Sequence, residues 1–142
     1  MKIIINTPHA PAPIGPYSQA VIAGNLLFVS GQIPMNPATG DLVLDDIKTE
    51  TRQVMENIKA ILTEAGVDFS NIVKTSIFWT DMQNFAQVNE VYGTSFTSDF
   101  PARETVQVAG LPKGVNVEIS VTAMIWNLTI WKFDDAFRDQ SI

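Results

Sequence analysis

The sequence predicts an α+β protein in which two helices pack on one face of a mixed β-sheet. Two segments carry apolar residues at helical spacing, and the other ordered segments are rich in β-branched residues or alternate apolar and polar residues. Along the chain these segments follow the order β-β-β-α-β-α-β-β. The 142 residues, 46% of them hydrophobic, suit one globular domain with a sizeable core.

The first part of the chain predicts three strands. Residues 2–6 form a short apolar run that we expect to be the opening strand, and four prolines between residues 8 and 16 then demand a loop with Tyr17 at its end. Runs of β-prone residues on either side of Gly24 predict a hairpin, and residues 35–41 turn the chain.

The segment from Asp45 to Ala65 is the clearest helix. Apolar residues recur there at helical spacing, Asp45 or Asp46 is placed to cap the first turn, and Gly66 follows the last turn. A second, shorter amphipathic helix follows Asp81. Its apolar face carries Phe85, Val88, Tyr92 and Phe96.

Strands are predicted on both sides of the second helix. Residues 71–81 are rich in β-branched and aromatic residues, which favours a strand. Residues 105–110 and 115–125 predict a final pair of strands joined by residues 111–114. In the last strand apolar and polar residues alternate, so one of its faces is apolar and the other is polar.

Composition excludes several classes of function. Lys and Arg total 9 against 15 Asp and Glu, and the net charge of −6 argues against broad binding of nucleic acid or anionic membranes. The absence of cysteine excludes disulfides, thiolate nucleophiles and Cys-based metal sites. The N-terminus has too short an apolar stretch for a secretory signal, and no apolar run reaches the roughly 18 residues of a membrane span. We therefore expect a cytoplasmic protein.

Metal, phosphate and serine-hydrolase sites are not favoured either. The single histidine, His9, lies in the proline-rich loop without an acidic neighbour in sequence. No glycine-rich run of the P-loop or dinucleotide type is present, and Ser30 lacks the nucleophile-elbow pattern. We expect no metal.

Arg103 and Glu118 remain as candidates for chemistry. A guanidinium can hold a carboxylate through two hydrogen bonds, so Arg103, at the start of a strand, can anchor a small organic acid. Glu118, on the polar face of the next strand, could hold or activate a water molecule as a general base. The residues alone equally allow an ion pair between Arg103 and Glu118, or a Glu118 side chain that points to solvent.

Two neighbouring positions bear on these candidates. Because side chains alternate across a strand, Thr105 should share the face of Arg103, while Glu104 should point the other way and leave the arginine free. Tyr17 offers a phenolic hydroxyl at a loop tip, where it could serve a site or simply pack on the proline-rich turn.

Four motifs together resemble the RidA (YjgF) family of reactive-intermediate deaminases. They are IGPYSQAV at 14–21, VSGQIPMNPATG at 29–40, FAQVNEVY at 85–92 and PARETVQVAGLPKGVNVEIS at 101–120. The resemblance implies a chorismate-mutase-like α+β fold and a homotrimer with ligand clefts between adjacent subunits. It also implies a 2-iminobutanoate/2-iminopropanoate deaminase, a hydrolase that converts 2-enamine or 2-imino acids to 2-keto acids and ammonium without a cofactor.

The resemblance also assigns roles to individual residues. Arg103 matches the family's carboxylate-binding arginine, Glu118 the glutamate associated with the attacking water, and Tyr17 the tyrosine of the cleft. Further residues are expected to bind substrate or line the cleft: Ser30, Gly31, Asn89 and Thr105.

The sequence departs from the family pattern in two places. Glu104 stands where many relatives have a small residue, and Thr105 stands where they have a cysteine, so substrate preference is open. Residues 126–142 run beyond the usual end of such chains, so we predict one domain over residues 1–125 and a C-terminal extension. That extension could lengthen the last strand, cover a subunit edge or form a disordered tail.

Two other functions compete with the deaminase. A non-catalytic module that binds 2-keto or other small acids would use the same Arg103. A ribonuclease or translation inhibitor, an activity attributed to some relatives, is disfavoured by the acidic net charge, the single histidine and the lack of a basic stripe.

Overall fold

The computed structural model describes residues 1–125, and its helices and strands follow the predicted order. The strands are β1 (Lys2–Ile5), β2 (Ala20–Ala23), β3 (Leu26–Gln32), β4 (Ile72–Trp79), β5 (Ala102–Gln107) and β6 (Val117–Met124). The helices are α1 (Ile47–Glu64) and α2 (Phe85–Gly93), and a turn of 3-10 helix at Met82–Asn84 precedes α2.

Backbone geometry confirms the predicted hairpin and the predicted first helix. Gly24, between β2 and β3, has a φ of +63°, a conformation that glycine adopts without steric cost. At the start of α1 the Asp46 carboxylate accepts a hydrogen bond of 2.8 Å from the Thr49 backbone N–H, which caps the helix. Gly66, with a φ of +79°, follows the end of the helix.

All the strands form one mixed sheet in the order β1-β2-β3-β6-β4-β5. β4 and β5 run parallel, with α2 in the connection between them, and the other neighbouring strands are antiparallel.

The sequence predicted that the last two strands, β5 and β6, pair with each other. This prediction is wrong, because β4 lies between them. Side-chain burial gives the physical reason. Alternate residues of β6, from Val117 to Ala123, are buried, as in the centre of a sheet. The side chains of β5 are exposed or only partly buried, which suits an edge.

Both helices pack on one face of the sheet, as predicted, and the core lies between the helices and this face. Its fully buried members include Leu27, Val54, Ile58, Leu62, Ile77, Trp79 and Ile119. The opposite face, which we call the open face, leaves three large hydrophobic side chains exposed: Ile4, Phe28 and Val106.

Within residues 1–125, neither helix is both long and apolar enough to cross a membrane. The cytoplasmic location remains a prediction. The predicted extension, residues 126–142, lies outside the described residues.

Candidate functional site

A cavity of about 410 Å³ brings four of the predicted site residues together. These residues are Tyr17, Ser30, Gly31 and Glu118. Apolar side chains complete its lining: Ile14, Ile33 and Pro112. The cavity therefore combines a carboxylate with an apolar wall, as small-molecule sites commonly do.

A β-bulge in β3 shapes one side of this cavity. Val29 pairs with Val121 and Gln32 with Ile119, so Ser30 and Gly31 together stand opposite a single residue of β6. The Ser30 hydroxyl donates a hydrogen bond of 2.6 Å to the Ser18 carbonyl oxygen. Ser30 thus lines the cavity and also ties β3 to the loop that carries Tyr17.

Gly31 allows the Glu118 carboxyl group to lie directly against the β3 backbone. A Cβ atom at Gly31 would stand 2.5 Å from Glu118 Oε1 and 2.8 Å from its Cδ, distances that real Cβ atoms do not tolerate. The glycine is therefore required by the position of the carboxyl group.

Replacing Gly31 with alanine should displace the Glu118 side chain and lower the activity proposed below by about tenfold or more, since misplacement of a catalytic group by about 1 Å is costly. Gly110→Ala is the matched control, because nothing lies within 4 Å of a Cβ atom at Gly110. Steady-state rates of the two variants, with a crystal structure of Gly31→Ala, check this. Equal rates would show that the contact has no role in activity.

The environment of Glu118 suits a general base. Its side chain is half-buried, and burial raises the pKa of the Glu118 carboxyl above that of an ordinary glutamate. A carboxylate with a raised pKa accepts a proton from water more readily. The cavity could therefore hold and activate a water molecule.

Tyr17 lies on a loop that is held by a residue the sequence analysis missed. The Tyr17 phenol oxygen accepts a hydrogen bond of 3.1 Å from the Ile14 N–H, so the hydroxyl closes its own loop while the ring stays exposed. The buried Gln19 donates to the carbonyl oxygens of Thr7, Ala10 and Pro11 and accepts from the Thr7 N–H. A polar residue at the entry to a buried strand was the only sequence signal for this role.

Arg103 points to the other face of the sheet, so it does not meet Glu118 within one chain. In the strand register Arg103 lies opposite Thr75, which lies opposite the core residue Val121, so Arg103 is on the helix face. Glu118 lies opposite Phe78 and shares the open face. The sequence allowed an ion pair between Arg103 and Glu118; this geometry excludes it within one chain.

The neighbours of Arg103 follow the predicted alternation. Glu104 lies on the open face, where its carboxylate forms an ion pair of 2.5 Å with Lys74. This contact lowers the pKa of the Glu104 carboxyl. Thr105 lies opposite the buried Ile77 and so shares the helix face with Arg103. The prediction that Glu104 leaves Arg103 free is confirmed.

Asn89 lies on α2 and does not line the cavity of Glu118. It is four residues after Phe85 and three before Tyr92, so it shares the side of the helix whose rings lie beside the Arg103 guanidinium. Among residues 1–125 its Oδ1 atom is buried and accepts no hydrogen bond. Buried acceptors without a donor are uncommon and often mark functional positions.

The predicted site residues therefore fall into two groups. Tyr17, Ser30, Gly31 and Glu118 form the open-face group around the cavity. Arg103, Thr105 and Asn89 form the helix-face group.

His9 and metal ligation belong to neither group. His9 lies beside α1, in a groove that Glu56 and Glu64 also line, away from the cavity of Glu118. Across residues 1–125 no three histidine, aspartate or glutamate side chains cluster so as to hold a metal ion.

Comparison with known proteins places the sequence among well-defined relatives. The sequence profile described as endoribonuclease L-PSP matches residues 7–125. A RutC family protein of Pyrococcus horikoshii is 53% identical over 123 residues, which are 87% of this chain and 98% of the relative. A human protein named 2-iminobutanoate/2-iminopropanoate deaminase is 46% identical over 129 residues, 91% of this chain and 94% of the relative.

The fold is shared with solved structures. The crystal structure of Escherichia coli TdcF with bound serine superposes with a TM-score of 0.84 at 43% identity. The match covers 87% of this chain and 99% of TdcF. The predicted α+β fold is thereby confirmed.

Proposed function

The chain belongs to the endoribonuclease L-PSP family, which includes the RidA (YjgF) proteins, and on that premise we propose that it is a deaminase of reactive imines. It hydrolyses 2-enamine and 2-imino acids, such as 2-aminoacrylate and 2-iminopropionate, to 2-keto acids and ammonium. The deaminase names of mammalian relatives at 46–48% identity support this proposal.

One observation carries the proposal: a cavity holds a half-buried carboxyl group whose pKa is raised, while an arginine suited to bind carboxylates lies on the opposite face of the same sheet. A site that uses both groups needs two chains. We therefore propose a homotrimer in which Arg103 of one subunit meets the Glu118 cavity of the next. The exposed hydrophobic side chains of the open face, Ile4, Phe28 and Val106, offer surface for such contacts.

The chemistry of this shared site follows from the two groups. Arg103 binds the substrate carboxylate, and Glu118 takes a proton from water as the water oxygen bonds to the imine carbon, which gives a carbinolamine. Glu118 returns this proton to the nitrogen, the C–N bond breaks as the C=O bond forms, and the hydroxyl proton passes to the departing ammonia, which leaves the 2-keto acid and ammonium. Tyr17 orders the nitrogen side or closes the cleft. Because such imines already hydrolyse in water, positioning with acid–base help of roughly 10²–10⁴-fold is sufficient.

The direct test generates 2-iminobutanoate in situ with an amino-acid oxidase and follows release of ammonium and 2-oxobutanoate. The wild-type protein should accelerate release over buffer. Rates equal to buffer would reject the deaminase.

Activity should fall on acidification at a pH above the range in which an ordinary glutamate, pKa about 4.3, takes up its proton. Glu118 acts as a carboxylate, and burial raises its pKa, so the active form is lost as pH falls through that raised pKa. The measurement is kcat/KM against pH, with the buffer rate subtracted. A profile that stays flat down to pH 4 would contradict a role for Glu118 as the base.

A module that binds small carboxylates without catalysis is the alternative. The serine bound to TdcF motivates it, since that ligand carries a carboxylate. Binding of 2-oxobutanoate without any turnover would favour this alternative. The ribonuclease activity in the family's name is opposed here by the net charge of −6, and a salt-dependent affinity for RNA would revive it.

A further inference from the structure

Two aromatic rings of α2 lie beside the guanidinium of Arg103. The Arg103 Cζ atom is 5.1 Å from the centre of the Tyr92 ring and 5.9 Å from the centre of the Phe85 ring. The faces of aromatic rings attract a cation at such distances. Phe85 and Tyr92 are seven residues apart, so both project from the same side of the helix.

The Tyr92 ring is fixed relative to the strand that carries Arg103. Only 5% of Tyr92 is exposed, and its hydroxyl donates a hydrogen bond of 2.9 Å to the Thr75 hydroxyl. Thr75 is fully buried and lies directly opposite Arg103 in the register of β4 and β5. The hydrogen bond between Tyr92 and Thr75 therefore holds the Tyr92 ring level with Arg103 along the strands.

The Phe85 ring is fixed from the other end of the helix. It meets the fully buried Trp79 edge-on, with ring centres 5.5 Å apart and planes at 78°. Phe85 itself is 44% exposed, so it stands at the surface where a ligand would approach Arg103.

Arg103 needs such support because β5 is an edge strand, which within residues 1–125 is bonded to β4 alone. A long arginine side chain loses considerable rotamer freedom when it binds a ligand, and pre-ordering reduces that loss. An aromatic ring holds the cation without accepting its N–H groups, which therefore stay available to a carboxylate. Glu104, which could have occupied them, lies on the opposite face with Lys74.

We propose that Phe85 and Tyr92 are positioning residues that hold the Arg103 guanidinium ready to bind a substrate carboxylate. This inference rests on the proposed role of Arg103 as the carboxylate anchor. The rings act through the arginine, so their loss should weaken binding of the carboxylate more than it slows the chemical step.

The test compares Phe85→Leu, Tyr92→Leu and Tyr92→Phe in the 2-iminobutanoate assay. The two leucine variants should raise KM about three- to tenfold, with kcat within about twofold of wild type. Tyr92→Phe keeps the ring but loses the hydrogen bond to Thr75, so its KM should lie between those of the wild type and Tyr92→Leu. Phe69→Leu is the matched control, since Phe69 packs on Phe96 and the core and not on Arg103. A wild-type KM in Phe85→Leu overturns the proposal.

A second readout separates this inference from the proposed function. The ¹⁵N signal of the Arg103 Nε–H group, identified by its loss in Arg103→Lys, should shift in Phe85→Leu and not in Phe69→Leu. If the wild type shows no turnover, the deaminase fails, and the Kd for 2-oxobutanoate replaces KM in the same comparison. A weaker Kd in Phe85→Leu then still supports the positioning role. A wild-type Kd, or no binding of 2-oxobutanoate by the wild type, overturns it.

Discussion

Arg103→Ala is expected to lower kcat/KM for 2-iminobutanoate by about 100-fold, because a guanidinium makes charge-assisted, paired hydrogen bonds to a carboxylate. Arg103→Lys should recover part of the loss, since an ammonium keeps the charge but not the planar fork. The measurement is initial-rate release of ammonium and 2-oxobutanoate at several imine concentrations.

The control for this prediction is Arg52→Ala. Arg52 is an exposed residue of α1 that does not line the cavity of Glu118, so its removal should leave kcat/KM within about twofold. Equal losses in the two variants would mean that overall charge, rather than a carboxylate anchor, controls the reaction.

Glu118→Gln is expected to lower kcat by about 100- to 10,000-fold while 2-oxobutanoate still binds. The amide fills the same space but cannot take a proton from water. Turnover and the Kd for 2-oxobutanoate, measured on the same preparation, check the two parts of this prediction. Glu56→Gln, on the exposed side of α1, is the matched control.

Loss of folding should not account for the effect of Glu118→Gln. Burial raises the pKa of Glu118, so the ionised form costs folding stability above that pKa, and the neutral amide avoids the cost. The variant should therefore melt no lower than wild type at neutral pH. If Glu118→Gln keeps the wild-type kcat, a different group activates the water.

Local patterns in the sequence predicted much of the fold. The spacing of apolar residues identified both helices, Gly66 was placed correctly after α1, and Asp46, one of the two candidate caps, begins it. The alternation in β6 predicted its apolar and polar faces, which the burial of Val117 to Ala123 confirms. These features depend on neighbours within a few residues, which a single sequence reports directly.

Features that depend on distant residues were not accessible in this way. The insertion of β6 between β3 and β4 is set by competition among strands for the buried centre of the sheet. The bulge at Ser30 and Gly31 shows only once β3 and β6 are in register. The hydrogen bonds that Gln19 donates depend on the path of the proline-rich loop. That loop has no periodic pattern from which its path could be predicted.

Candidate site residues could be named from the sequence, but their arrangement could not. A strand pattern tells which residues of one strand share a face, and it correctly separated Glu104 from Arg103. It cannot relate the faces of two strands before their register is known. That register places Arg103 and Glu118 on opposite sides of the sheet, and for this reason the proposed site needs two chains.

Mixing two inactive variants tests this shared site most directly. Arg103→Ala and Glu118→Gln subunits, unfolded together in equal amounts and refolded, should give a population with about a quarter of the wild-type activity, because each mixed trimer restores one of its three sites. In about one of every four contacts between subunits, one subunit supplies an intact Glu118 and its neighbour an intact Arg103, so that the site is complete. Mass spectrometry verifies that mixed trimers have formed. Activity near a quarter supports a site built from two chains, whereas mixed trimers as inactive as the separate variants would contradict it.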